Sequence, residues 1–170
     1  MSKALRVVVV TALIVVTVTL QISIFTQFSI SGVVPDLAML LVIAAALVRG
    51  PDYAAGVGFA AGLVLDLAPP ADHTAGRWAL SLVVVGYLIG LARGDAEPTA
   101  LGTVFMVAAG AFIGTSVFAL TGLVLGDPGV SVASALEVVP RAMLYDVLVT
   151  PLVIPLVVML FRRLEPADRW

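Results

Sequence analysis

The segment that decides the fold reads YAAGVGFAAGLVLDL over residues 53–67. It is long enough for about four helical turns and carries one charged side chain, Asp66. Small residues recur at every fourth position, Ala54, Gly58 and Gly62, and Asp66 continues the same stripe. Residues four apart share one helix face, and in lipid the close approach of small residues is a main source of helix association. The segment therefore predicts a membrane helix that packs through its small-residue face.

Five further apolar stretches lie on either side of this segment, separated by short polar breaks. Hydrophobic residues make up 61% of the chain, charged residues make up 12%, and the mean hydropathy is +1.16. This composition argues against a water-soluble protein. We predict one all-α membrane domain over residues 1–170, a six-helix transmembrane bundle with spans at 5–30, 36–49, 53–68, 77–93, 98–125 and 140–161.

The basic residues predict the orientation of this bundle. If all six segments cross, one side of the membrane holds seven of them: Lys3, Arg6, Arg49, Arg93, Arg162, Arg163 and Arg169. The other side holds Arg77 and Arg141. Basic residues near segment ends are retained in the cytoplasm, so we expect both termini to be cytoplasmic. The first apolar run is too long for a signal peptide and has no small-x-small cleavage site, so we expect an uncleaved first span.

The two short segments, 36–49 and 53–68, leave two possibilities open. Twelve helical residues reach only about 18 Å, whereas the hydrocarbon core of a bilayer is about 30 Å thick. The segments either form a re-entrant hairpin or cross fully with the help of flanking residues. Full crossing is favoured because Arg49 then falls on the basic side, where its long side chain can snorkel to the interface.

Two features of the small-residue stripes could carry contacts. Gly86 and Gly90 form a second stripe in segment 77–93, and both stripes serve either packing inside the bundle or a partner or homodimer face. Internal packing is the favoured interpretation. Asp66 is either a polar lock or ligand contact, or a helix-end carboxylate wetted at the interface, and the sequence does not separate these alternatives.

The last segment carries a second group of candidates. Arg141 and Tyr145 are four residues apart and share a helix face, and Asp146 lies about 100° further round. We expect Arg141 to pair with Glu137, and Asp146 to contact Arg141, Arg77 or a backbone group.

Segment 140–161 also contains two prolines, Pro151 and Pro155. Each removes a backbone hydrogen bond and should bend the helix, with Thr150 able to bond back to the preceding turn. Ser134 and Glu137 have capping-box spacing, so we expect residues 134–139 to form a short separate helix on the outer face.

Several function classes are poorly supported. The net charge is −2, and basic residues do not cluster with aromatic ones, which argues against a nucleic-acid partner. There are no cysteines and a single histidine, His73, which is a weak basis for a metal site. The sequence shows no nucleophilic triad or phosphate-binding loop. We therefore predict no enzyme activity, no cofactor and no metal.

A set of short phrases occurs in a recognisable order. In chain order they are PDL at 35–37, RGP at 49–51, GFAAGL at 58–63 followed by Asp66, GYL at 86–88 followed by Gly90, LYD at 144–146, TPL at 150–152 and PL at 155–156. In this order and spacing, over residues 1–163, the chain resembles the rod shape-determining protein MreD family. The loop at 66–73 is similar to that of actinobacterial members. The family more often has Asn where this chain has Asp146, so the resemblance implies no need for a negative charge there.

This resemblance implies a multi-pass protein of the bacterial inner membrane that acts in cell shape and peptidoglycan synthesis. It implies a non-catalytic scaffold of the elongasome, with an MreC-like bitopic protein, a SEDS glycosyltransferase and a class B transpeptidase as partners, and MreB filaments where present. The implied fold is similar to the S-components of energy-coupling-factor transporters. The alternative function is therefore a small-molecule transporter or an S-component-like binding subunit. That alternative needs several convergent polar groups, and Gln21, Asp66, Tyr145 and Asp146 are the main candidates.

Overall fold

The computed structural model describes residues 2–23, 33–69, 73–94 and 99–164. The described residues form six helices: α1 (Lys3–Ser23), α2 (Leu37–Arg49), α3 (Pro51–Leu67), α4 (Arg77–Ala92), α5 (Ala100–Leu125) and α6 (Val132–Arg163). By length and composition, α1, α5 and α6 are suited to cross a membrane. The prediction of an all-α membrane bundle is confirmed.

The shortest helix, α2, lies at the centre of the bundle. It contacts each of the other five helices, and every residue from 37 to 46 is buried. A helix that is apolar on all sides is expected to be enclosed. At about 1.5 Å per residue its 13 residues reach only about 20 Å. Protein surrounds α2 on every side, so its neighbours meet the bilayer in its place.

The two ends of the bundle differ in charge, and we name them accordingly. At the acidic end α2 and α4 begin and α3 ends, and five described carboxylates lie there: Asp36, Asp66, Asp127, Glu137 and Asp146. At the basic end α1 and α3 begin and α2, α4 and α6 end. The described cations there are Lys3, Arg6, Arg49, Arg93, Arg162 and Arg163.

Helices α3 and α4 pack through the predicted glycines. A Cβ atom built on Gly58 would lie 2.7 Å from the carbonyl carbon of Leu82, and one on Gly86 would lie 2.6 Å from the carbonyl oxygen of Ala54. Gly62 faces the backbone of Ala79 in the same way, and Gly90 faces the backbone of Pro51. Distances this short leave no space for a side chain. The structure therefore places all four glycines inside the bundle, against the partner helix.

Helix α6 is longer than the predicted span. The expected separate helix at 134–139 is wrong, because these residues belong to one continuous helix that begins at Val132. The capping box joins Ser131 and Ser134, each hydroxyl bonding the backbone N–H of the other, instead of Ser134 and Glu137. Pro140, Pro151 and Pro155 all lie within the helix.

The close approach of α3 and α4 gives a first prediction. Gly62→Ala should lower the free energy of unfolding by about 1–3 kcal/mol, the usual penalty for overpacking, because its Cβ meets the α4 backbone. The matched control is Gly56→Ala in the same helix, where a Cβ meets no atom within 4 Å. That change should be neutral or stabilising by up to about 1 kcal/mol. Thermal unfolding in detergent micelles measures both, and equal stability of the two variants would contradict the packing argument.

Candidate functional site at the acidic end

The N-terminus of α2 is held by oxygen atoms from three helices or their caps. The backbone N–H of Asp36 donates to Oδ1 of Asp146 on α6 at 2.7 Å. The N–H of Ala38 donates to Oε1 of Gln21 on α1 at 2.9 Å. The N–H of Met39 donates to Oδ1 of Asp36 itself, also at 2.9 Å. The first amides of a helix have no partner within it, so these bonds fasten α1 and α6 to the start of α2.

Two carboxyl oxygens of this cluster have no hydrogen-bond partner among the described residues. They are Oδ2 of Asp36 and Oδ2 of Asp146, and both are buried. One negative charge at a helix N-terminus is stabilised by the helix dipole. A second carboxylate close by is opposed by like-charge repulsion. Asp146 therefore serves α2 through its accepting oxygen, and its charge adds little to that role.

The N-terminus of α4 is capped by a residue of α3. Asp66 accepts the backbone N–H of Trp78 through Oδ1 and that of Ala79 through Oδ2, both at 3.0 Å. Gly76, which precedes α4, has no side chain to do this. Asp66 is 2% exposed, so the alternative of a wetted interfacial carboxylate does not describe it. The structure places Asp66 as a lock between α3 and α4.

A buried arginine joins α4 to the end of α5. Arg77 forms an ion pair with Asp127, donates to the backbone carbonyl of Phe118 at 2.7 Å and lies 3.9 Å above the Phe118 ring. Gly122 gives the guanidinium its space, since a Cβ there would lie 2.8 Å from the Arg77 Cζ. Sequence reasoning missed this role of Arg77. A signal was present, because Arg77 is one of two arginines on the side that is poor in basic residues.

The structure does not bring the other predicted residues to this site. Arg141 lies 3.5 Å from Glu137 as an exposed pair, as expected. Arg141, Tyr145 and Asp146 do not form one cluster: Tyr145 is half-buried and Asp146 faces inward, because consecutive helical residues point about 100° apart. Of the three partners expected for Asp146, the structure shows the backbone group, which is the N–H of Asp36.

Three further candidates also lie elsewhere. Arg49 is at the basic end, 4.3 Å above the ring of Tyr53. Pro151 and Pro155 lie on the exposed side of α6. Thr150 bonds back to the carbonyl of Asp146 at 2.6 Å, as predicted. Thr150 therefore contacts the residue that caps α2, whereas Arg49 lies at the opposite end of the bundle.

The chemistry of the acidic end is hydrogen bonding to helix ends. Oxygens of Gln21, Asp36, Asp66 and Asp146 accept backbone N–H groups, and Ser81 donates to the carbonyl of Gly114 at 2.7 Å to join α4 to α5. Within the described ranges, no three His, Cys, Asp or Glu side chains are grouped as they would be around a metal ion. The polar groups of this end are used to join helices.

Comparison with known proteins gives one match. The family model described as rod shape-determining protein MreD matches residues 1–164. None of the curated proteins matches the chain, and none of the solved structures does.

The cap at α4 generates a second prediction. Asp66→Asn replaces one accepting oxygen with a donor that faces a backbone N–H, so the free energy of unfolding should fall by about 1–3 kcal/mol. Asp66→Leu should lower it further, because both amides lose their partner. Thermal unfolding in micelles checks the order wild type, Asn, Leu. A Leu variant as stable as the wild type would show that Asp66 is not a structural cap.

The cluster at the N-terminus of α2 generates a third prediction. Here, unlike at position 66, replacing the aspartate with asparagine should not lower the stability. Asp146→Asn keeps an accepting oxygen for the Asp36 N–H and removes one of two neighbouring buried carboxyls. Its stability should equal or exceed that of the wild type. Asp146→Leu leaves that N–H unsatisfied and should lose about 1–3 kcal/mol. If the Asn variant were as unstable as the Leu variant, the negative charge at 146 would be what matters.

Proposed function

Because this chain belongs to the MreD family of rod shape-determining membrane proteins, we propose that it is a non-catalytic scaffold of the cell-wall elongation complex. In this role it binds an MreC-like bitopic protein in the plasma membrane. Through that assembly it positions the SEDS glycosyltransferase and the class B transpeptidase that insert peptidoglycan, with MreB filaments as a further partner. The protein would act by holding these partners together and would catalyse no reaction itself.

The observation that carries this proposal is the direction of the buried hydrogen bonds. Gln21, Asp66 and Asp146, which the transporter alternative would need as ligand contacts, each accept a backbone N–H of the bundle. A substrate site needs several polar groups that converge on one pocket. The oxygens that cap α2 and α4 are already used inside the bundle, which leaves few polar atoms to converge on a solute. Scaffolding is therefore better supported than transport.

We place the contact with the bitopic partner in a groove between α5 and the first half of α6. The groove has a volume of about 710 Å³ and is lined by apolar side chains and Ser116. Ala119 on α5 and Ala135 on α6 are among its small lining residues, so a helix could approach closely. Leu120 and Leu136, which also line it, are exposed. A single apolar helix is the kind of partner that this surface fits.

The membrane topology is part of the same proposal. We propose that the basic end faces the cytoplasm, with both termini there, because six described cations lie at that end. In this proposal α2 and α3 need not match the thickness of the hydrocarbon core by themselves, since the neighbours of α2 span the lipid. The likeness to S-components of energy-coupling-factor transporters stays a prediction of the family resemblance.

The groove gives a fourth prediction, which tests the proposed function. Ala135→Trp fills the groove and should reduce co-purification of the MreC-like partner at least about ten-fold, the ratio that corresponds to about 1.4 kcal/mol. Quantitative affinity capture from membranes that contain both proteins, with tagged partner, measures the effect. Unfolding in micelles should be unchanged.

The matched control is Ala133→Trp, the same substitution two residues away on an exposed position that does not line the groove. It should bind as the wild type does. Equal binding by both variants would remove the groove as the contact surface. Failure of the wild-type protein itself to bind the partner would contradict the scaffold proposal.

A further inference from the structure

A second groove lies at the basic end of the bundle, whereas the caps of α2 and α4 lie at the acidic end. It runs between α1 and α3, with Leu164 at its end, and has a volume of about 660 Å³. Unlike the groove between α5 and α6, it carries charge. Neither the helix caps nor the proposed contact with the bitopic partner uses it.

Three cations line one end of this groove. They are Lys3 and Arg6 from α1 and Arg49 from the end of α2, and Asp52 is the one carboxylate among the described lining residues. The described lining residues therefore carry a net positive charge. The guanidinium carbon of Arg49 lies 4.3 Å from the centre of the Tyr53 ring, and such stacking holds the cation in one orientation. Arg49 is thus held at the groove before any ligand binds.

Apart from Thr11 and Tyr53, the rest of the groove is an apolar wall. Val10 and Ile14 continue it along α1, and Val57 and Ala60 continue it along α3. From Lys3 to Ile14 the helix rises by about 16 Å, so the surface changes from cationic to apolar over roughly half a bilayer core. Gly56 lies between these walls and has open space where a side chain would be.

We propose that this groove binds one anionic phospholipid, with its phosphate at Lys3 and Arg49 and an acyl chain along the apolar wall. Basic pockets between membrane helices recognise anionic head groups. The apolar wall favours a lipid over a soluble phosphate, because a free anion would leave most of the groove unused. The net positive charge of the described lining residues favours an anionic lipid over a zwitterionic one. The bound lipid would fill the space between α1 and α3.

The test uses the full chain in detergent micelles, titrated with phosphatidylglycerol and followed by native mass spectrometry. The wild type should bind one lipid with saturation, and more tightly than phosphatidylcholine. Arg49→Gln should weaken phosphatidylglycerol binding about five-fold, the ratio for about 1 kcal/mol per basic residue. Arg163→Gln is the matched control, because it removes the same charge at the same end from a residue that does not line this groove. It should bind as the wild type does.

A second variant tests the acyl-chain wall. Gly56→Leu places a side chain in open space, so the fold should keep its melting temperature while lipid binding falls at least five-fold, as with Arg49→Gln. Unchanged lipid binding by Gly56→Leu would overturn the proposal. Equal weakening by Arg49→Gln and Arg163→Gln would also overturn it, since general surface charge would then explain the binding. Displacement by glycerophosphoglycerol, which has no acyl chains, at lipid-like concentrations would leave only a head-group site and likewise overturn it.

Discussion

The structure depends on one constraint: the first amides of helices that begin inside the bundle must find oxygen atoms there. An unsatisfied backbone group in hydrocarbon costs several kcal/mol, and α2 and α4 both begin at buried positions. Gln21, Asp36 and Asp146 meet this need at α2, and Asp66 meets it at α4. Because three of these side chains come from other helices, the bonds that satisfy the amides also set where α1, α3 and α6 lie. The polar residues of this membrane protein are thus first of all architectural.

Close packing and capping support each other at α3 and α4. Gly58 and Gly62 bring the two backbones together, and this closeness lets Asp66 reach the amides of Trp78 and Ala79. A larger residue at Gly62 would move α4 away from the carboxylate as well as strain the contact. One stripe, with small residues followed by an acid, therefore encodes both the approach of the helices and the bond that fixes their register.

Sequence patterns predicted the features that are local in the chain. Long apolar runs and Gly-Pro breaks indicate helices and turns directly, and the six helices were found this way. The glycine stripes were recognised by spacing. Contacts between distant residues were beyond such patterns: Asp36 and Asp146 are 110 residues apart, and the cap role of Asp36 was not foreseen. Spacing also predicted the wrong cap for α6: it favoured Ser134 with Glu137, whereas the backbone places Ser131 at the cap with Ser134 as its partner.

The enclosure of α2 has a consequence for biogenesis. Translation delivers α2 to the membrane long before α6, so the nascent helix lacks both the sheath of neighbours and the acceptor that Asp146 later supplies. A helix of 13 residues whose N-terminal amide is unsatisfied is poorly stabilised in the bilayer by itself. The enclosure of α2 is therefore complete only once α6 is present, because α6 brings both the acceptor at Asp146 and the last of the neighbouring helices.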